Sequence, residues 1–332
     1  MKFVARFPNR ELLLFFLVVV FAFCLGSRSF RTLGNLENIL ADFSHVAILA
    51  IGEAFPILLR GIDLSVGSIM ALAGMVAFDC YLIFGLPGEI VVPVALAVAA
   101  LAGVVNGVLI ARLRLQPFVA TLATMAAYRG LTYLISGRQL FPELSSKAIS
   151  DPLLMGLDND IGHVPYSFFL LAAAAALAQF VLSATKFGRD LYTVGGNIEA
   201  ARLCGINVDR AIIASYALSG FCAGVAALVL MSRMTTTTES VGVGIELSAI
   251  AAAIIGGVSL DGGVGNAIGP AIGAFFMGVS LIGLNLVGVS TYAQPIMTGA
   301  ILLAAVGYDR ILIAQRARRA KTAGASKRPA LP

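Results

Sequence analysis

Long apolar runs, interrupted by short clusters of glycine, proline and charge, set the pattern of this chain. Ten such runs can be read, at 12–26, 45–59, 69–85, 90–111, 117–137, 165–184, 211–232, 245–260, 264–288 and 291–313. None alternates with period two, and each approaches the ~20 residues a helix needs to cross a hydrocarbon core. The first, second and eighth sit near the lower length limit, so tilted half-helices or re-entrant pieces are the alternative for them. The pattern predicts an all-α polytopic membrane protein with about ten transmembrane helices.

Composition agrees. Of the 332 residues 59% are hydrophobic and 12% are charged, against roughly 25% charged in a soluble domain. The 23 Lys and Arg residues are placed unevenly. Lys2, Arg6 and Arg10, Arg60, Arg112 and Arg114, then Lys186, Arg189, Arg202 and Arg210, and finally seven between Arg310 and Arg328 fall on alternate loops and the two ends. The other side holds Arg28, Arg31, Arg138, Lys147 and Arg233, and Arg129 lies within a run. Basic loops resist translocation, so both termini are expected in the cytoplasm, with an even number of crossings between them. The resulting plan is a cytoplasmic N-terminus (1–11), one membrane domain (12–313) and a basic cytoplasmic tail (314–332). The membrane domain carries an inner loop at 185–210 and an outer loop at 138–164. The bulky Phe23 and Leu25 make a poor cleavage site, so the first run reads as a retained helix rather than a signal peptide. The net charge of +5 reports topology and contact with lipid, not nucleic acid. Cys24, Cys80, Cys204 and Cys222 form no disulfide framework by their placement.

Catalytic chemistry finds little support. His45 and His163 are the only histidines, and no HExxH, GxSxG or GxxxxGK[ST] pattern occurs. No enzyme, metal site or cofactor is therefore expected. If the chain pumps, the energy comes from another polypeptide; an ion-coupled carrier is the alternative.

The unusual residues gather in a few places. From Thr185, the stretch TKFGRDLYTVGGNIEAARLCGI is a charged, glycine-rich island between apolar runs. Asn197 suits an N-cap, Glu199 the first helical turn and Gly205 the left-handed position after the last. A helix of about seven residues cannot stand alone in water, so either the membrane domain or a second protein must hold it. Gly188, Arg189, Gly196, Asn197, Glu199, Ala200, Ala201, Arg202 and Gly205 are the candidates for such contact. Gly61, Asp63, Ser65 and Gly67 interrupt another apolar stretch, as a structural turn or a pathway lining. Gly265, Gly269 and Gly273 recur every fourth residue, as do Gly103 with Gly107 and Gly220 with Gly224, a spacing that lets helix backbones approach. Glu53, Asp79, Asn106, Arg129, Gln179, Glu246 and Asn285 lie at membrane depth and should face protein or water. Arg129 needs a carboxylate or several carbonyls, with Glu53 or Asp79 as the expected acidic partner and a role in gating as the alternative. GIDLSVGS from Gly61 and GVSLDGGVGN from Gly257 echo one another as a possible internal repeat.

Three of these stretches also carry a resemblance. FGRDLYTVGGNIEAARLCGINVDR, GIDLSVGSIMALAG and GIELSAIAAAIIGGVSLDGGVGNAIGPAIGA, together with PFVATLATMAAYRGLTYLISG, resemble the ribose-type permease subunits of bacterial ABC importers, in order and over nearly the whole chain. The resemblance implies a coupling helix that fits an ABC ATPase subunit, a periplasmic or extracellular sugar-binding protein, and a second permease subunit in a homo- or heterodimer. It also implies import of a monosaccharide or related small polyol. Arg60 departs from the family's GGID pattern by standing where the first glycine is usual.

Overall fold

The computed structural model describes residues 10–136, 149, 151–234, 240–304 and 306–307. Regular structure among them is almost wholly helical: α1 (Arg10–Gly26), α2 (Leu33–Leu58), α3 (Val66–Leu82), α4 (Gly88–Ala111), α5 (Pro117–Ile135), α6 (Pro152–Met155), α7 (Tyr166–Ala184), α8 (Lys186–Gly196), α9 (Ile198–Leu203), α10 (Val208–Met234), α11 (Ile245–Ile255), α12 (Ile268–Leu286) and α13 (Gln294–Ala304). One antiparallel hairpin pairs β1 (Asp160–Ile161) with β2 (Val164–Pro165). Six of these helices, α2, α4, α5, α7, α10 and α12, are long and apolar enough to cross a membrane, and the remaining apolar ones are shorter. Each of the ten apolar runs holds one helix. The basic tail and residues 138–148 lie outside the described residues.

Packing centres on α10 and α2. The lower half of α2 is apolar except for Glu53, and Ala47, Ile48, Ala50, Ile51, Ala54, Ile57 and Leu58 are all fully buried, as expected of a helix without a solvated face. Helices α4 and α10 cross through their small residues. A Cβ on Gly103 would meet the carbonyl of Tyr216, one on Gly107 the backbone of Ile213, and one on Gly220 the carbonyl of Ala99. Both four-residue glycine spacings therefore serve contact within the chain.

Four expectations are corrected. Helix α2 begins at Leu33, with Thr32 Oγ1 accepting from Asn35 N at 3.2 Å, because Glu37, Asn38 and Asp42 make its first turns read as loop. Helix α11 has only 11 residues, about 16 Å at ~1.5 Å per residue, and is a half-helix. Gly265 precedes α12, with φ of 154°, so only Gly269 and Gly273 share its face; they close on α11 at Gly256 and Ala252. The outer segment at 138–164, read simply as a loop, is folded over its second half: Asp151 caps α6, and Leu154 is buried beside Phe78, Val91 and Leu228.

The connections gather at two ends. The lower end holds the α2–α3 turn, the α8–α9 segment and the α11–α12 turn. At the upper end Arg233 binds Asp42 Oδ1 at 2.9 Å, Asp158 Oδ1 at 3.2 Å and Asn38 Oδ1 at 3.2 Å, tying α10 to α2 and the outer segment.

Candidate functional site

The α2–α3 turn is built around one carboxylate. Pro56 in the last turn of α2 releases its carbonyl to the amides of Leu59 and Gly61, and the chain reverses. Asp63 Oδ1 then accepts from Ser65 N at 3.0 Å, Ser65 Oγ at 2.6 Å and Asn106 Nδ2 at 3.3 Å, while Oδ2 accepts from Ser219 Oγ at 3.2 Å. Glu53 Oε2 accepts from Asp63 N at 3.4 Å. Glu53, Asp63, Ser65 and Asn106 are all fully buried. Asp63 thereby joins α3, α4 and α10 at one point. Ser65 is the N-cap of α3 by position, but its side chain is spent on Asp63 and Asn106 rather than on the helix. Gly61 leaves room for the Tyr216 phenol, and Gly67 for the carbonyl of Gly242.

Below this turn lies the charged island. Thr185 Oγ1 accepts from Gly188 N at 3.1 Å and starts α8, whose Gly188, Leu191, Val194 and Gly195 are buried against the bundle. Arg189 donates to Ala184 O at 3.5 Å, and its side chain is exposed. Gly196 ends α8, and Asn197 turns the chain and caps α9, its Oδ1 accepting from Ala200 N at 3.0 Å. Glu199 and Arg202 pair across 2.9 Å, and Gly205 has φ of 76°, so Asn197, Glu199 and Gly205 stand where the sequence places them. Ala200 is exposed, whereas Ala201 is fully buried against the chain itself. Leu203 is 90% exposed and Ile198 40%. A six-residue helix held by caps thus turns one alanine inward and two large apolar side chains outward.

Arg60 connects the two features. Its Nε donates to Gly195 O at 2.8 Å and its Nη2 to Gly196 O at 2.7 Å. The α11–α12 turn joins the same knot: Gly263 N donates to Leu58 O at 2.9 Å, and Tyr192 OH donates to Gly265 O at 2.8 Å. Burial pushes the Tyr192 phenol above its ordinary value. Arg60 also has φ of 65°, a conformation worth about 1–2 kcal/mol of strain for a residue with a Cβ. A glycine there would be free of that cost, which accounts for the resembled pattern and makes the departure visible from sequence.

The remaining polar residues separate. Arg129 Nη1 donates to Val241 O at 2.7 Å, and Glu246 is the acid whose charge reaches it, not Glu53 or Asp79. Glu53 sits five residues from the lower end of α2 and Arg129 twelve from that of α5, about 10 Å apart in depth at ~1.5 Å per residue. Asp79 is near the upper end of α3. Gln179 Oε1 accepts from Ala267 N at 3.0 Å. Asn285, expected to face protein or water, is exposed in the last turn of α12.

Comparison with known proteins places this geometry. The family model described as "Branched-chain amino acid transport system / permease component" matches residues 35–306. The chain belongs to that permease family. It is 39% identical over 284 residues to the ribose import permease protein RbsC of Haemophilus influenzae, covering 85% of this chain and 87% of that one. The D-allose transport system permease protein AlsC of Escherichia coli is 34% identical over 301 residues, covering 90% and 91%. The xylose transport system permease protein XylH of Escherichia coli is 34% identical over 331 residues, covering 83% and 84%. No solved structure matches. The chain is thus a multi-pass inner-membrane transport permease and not an enzyme, and the ribose-type resemblance holds.

Proposed function

We propose that this chain is the permease subunit of a binding-protein-dependent ABC importer for a monosaccharide or related small polyol. Its lower end faces the cytoplasm and a separate ATPase docks on residues 198–205. The observation that carries the docking site is Leu203, an almost fully exposed leucine on a short helix that the Asn197 cap and the buried Ala201 hold in place while its outer face stays uncovered. The inside placement follows from the basic residues, since Arg60, Arg112, Arg114, Arg189 and Arg202 all belong to this end. The sugar class follows from the ribose, allose and xylose permeases it is similar to. Because Asp63 and Ser65 spend their hydrogen bonds on one another and on α4 and α10, they act as a structural turn. A second permease subunit completes the passage, and a soluble receptor delivers cargo at the upper end.

Leu203→Asp tests the reading. The variant should insert and fold normally, since the side chain touches little of its own chain, yet lose the ATPase on co-purification and lose ATP-driven uptake. Retained ATPase with normal uptake would overturn the docking site. Sugar uptake by this protein alone in vesicles, driven by an ion gradient, would overturn the importer reading altogether.

A further inference from the structure

We propose that Arg60 is the positioning residue that ties the ATPase-docking segment to the buried Asp63 turn, so that displacement of one moves the other. The inference rests on the docking reading above and deepens it by naming the link.

Three separate pieces of chain meet at this side chain. Both donors of the guanidinium fork are spent on consecutive backbone carbonyls, Gly195 O and Gly196 O, at the end of α8 and one residue before the Asn197 cap of α9. The aliphatic stem lies against the third piece, since a Cβ on Gly262 would come within 2.6 Å of Arg60 Cγ. On its own side Arg60 N donates to Ile57 O at 2.9 Å, and three residues later Asp63 reaches Ser65, Asn106 and Ser219. From α9 to the meeting point of α3, α4 and α10 the path therefore runs through two charge-assisted hydrogen bonds and one rigid turn. A planar fork on two neighbouring carbonyls resists rotation as well as separation, which one point contact does not. Backbone acceptors also place the link out of reach of side-chain variation on the α8 side.

The residue's own conformation argues for this role over a packing one. Arg60 holds a left-handed φ of 65° while part of its side chain remains exposed. Strain of this kind persists only where the surroundings hold it in place, and here they do so through the fork.

The test uses the assembled transporter, permease with ATPase and receptor, in liposomes, measuring sugar moved per ATP hydrolysed. Arg60→Gly relieves the backbone and removes the fork. It should keep normal insertion and ATPase association but lower sugar per ATP at least about tenfold, since a single hydrogen bond to a charged group is already worth a factor of that order. Arg60→Gln keeps the stem and loses the charge; it should also lose coupling, and it serves if the glycine variant fails to assemble. A purely structural role would not alter the response to nucleotide, so amide exchange of residues 59–65 is followed with and without ATP bound to the ATPase. In the wild type that exchange should change; in the variants only 186–205 should respond. Wild-type sugar per ATP in either variant, or an unaltered nucleotide response at 59–65, would overturn the proposal. Failure of the docking reading is seen separately, as ATPase retained by Leu203→Asp whatever Arg60 does.

Discussion

Two turns close the lower end of this bundle, 59–65 and 256–267, and they are held by opposite means. The first is a side-chain structure: one buried carboxylate collects its donors from three helices, and the only left-handed residue is Arg60. The second is a backbone structure. Gly257, Gly262, Gly263 and Gly265 all have positive φ, Ser259 N donates to Val264 O at 2.9 Å, and its acid, Asp261, is exposed. The echoing motifs GIDLS and GVSLD thus occupy matching places between paired helices, yet the aspartate points inward in one and outward in the other. Where a turn sits among helices away from water, a carboxylate can organise it only if every lone pair finds a donor. Where it meets solvent, glycine geometry suffices.

The comparison breaks most sharply at the two aspartates. Asp63→Ala leaves Ser65 N, Ser65 Oγ and Ser219 Oγ without the acceptor they share in a site with no exposure, while Asn106 keeps Ser65 Oγ. Each orphan costs about 1–3 kcal/mol, so the folded, monodisperse fraction recovered in detergent should collapse, a loss of about 4 kcal/mol or more. Asp261→Ala should shift the thermal midpoint by no more than the surface norm of about 0.5 kcal/mol. Similar losses from the two variants would mean that the turns are not held differently.

Glycines sharpen the same contrast with a smaller effect. Gly263 and Gly205 have nearly equal φ, 70° and 76°, but a Cβ on Gly263 would lie 2.8 Å from Gly196 N, whereas nothing stands within 4 Å of one on Gly205. Gly205→Ala should cost only the left-handed strain, about 1–2 kcal/mol. Gly263→Ala should cost about twice that, because it also parts the knot with α8. Thermal unfolding of the two variants in parallel gives the difference, and equal shifts would show that close approach contributes nothing.

Reading the chain without its structure located the helices wherever hydrophobicity ran unbroken. It failed where polarity and helix coincide, as at Leu33–Ser44, since Glu37, Asn38 and Asp42 project to the upper end rather than into lipid. Asn197, Glu199 and Gly205 were legible because caps depend on neighbours in sequence. Arg129 was misassigned because composition gives no depth. Glu246 stands opposite it only through the short α11, whose half-length could be suspected but not its register. Arg60 was visible as an anomaly in a resembled pattern, while its partners, two carbonyls about 135 residues away, carry no side-chain signature at all.

The smallest expected effect lies at the upper end, where a third aspartate repeats the Asp63 arrangement in water. Asp151 Oδ2 accepts from Gly88 N at 2.9 Å, and Oδ1 accepts from Leu153 N at 2.9 Å and Leu154 N at 3.2 Å. The Gly88 amide, then those of Leu154 and Leu153, hold its carboxyl below its ordinary 3.8. A carboxyl depressed on folding stabilises fully above that ordinary value and loses its contribution as pH falls through the depressed one. Between pH 5 and 8 the contact should therefore be constant, and acidification through the depressed value should lower the protection of the Gly88, Leu153 and Leu154 amides relative to their intrinsic exchange rates. Asp151→Ala should give the lower protection already at pH 6 and remove the acid dependence, with little change in overall unfolding because solvent replaces the lost acceptor. If Asp151→Ala instead reduced folded yield as Asp63→Ala does, exclusion of water would not be what separates a carboxylate that holds the bundle together from one that trims a loop.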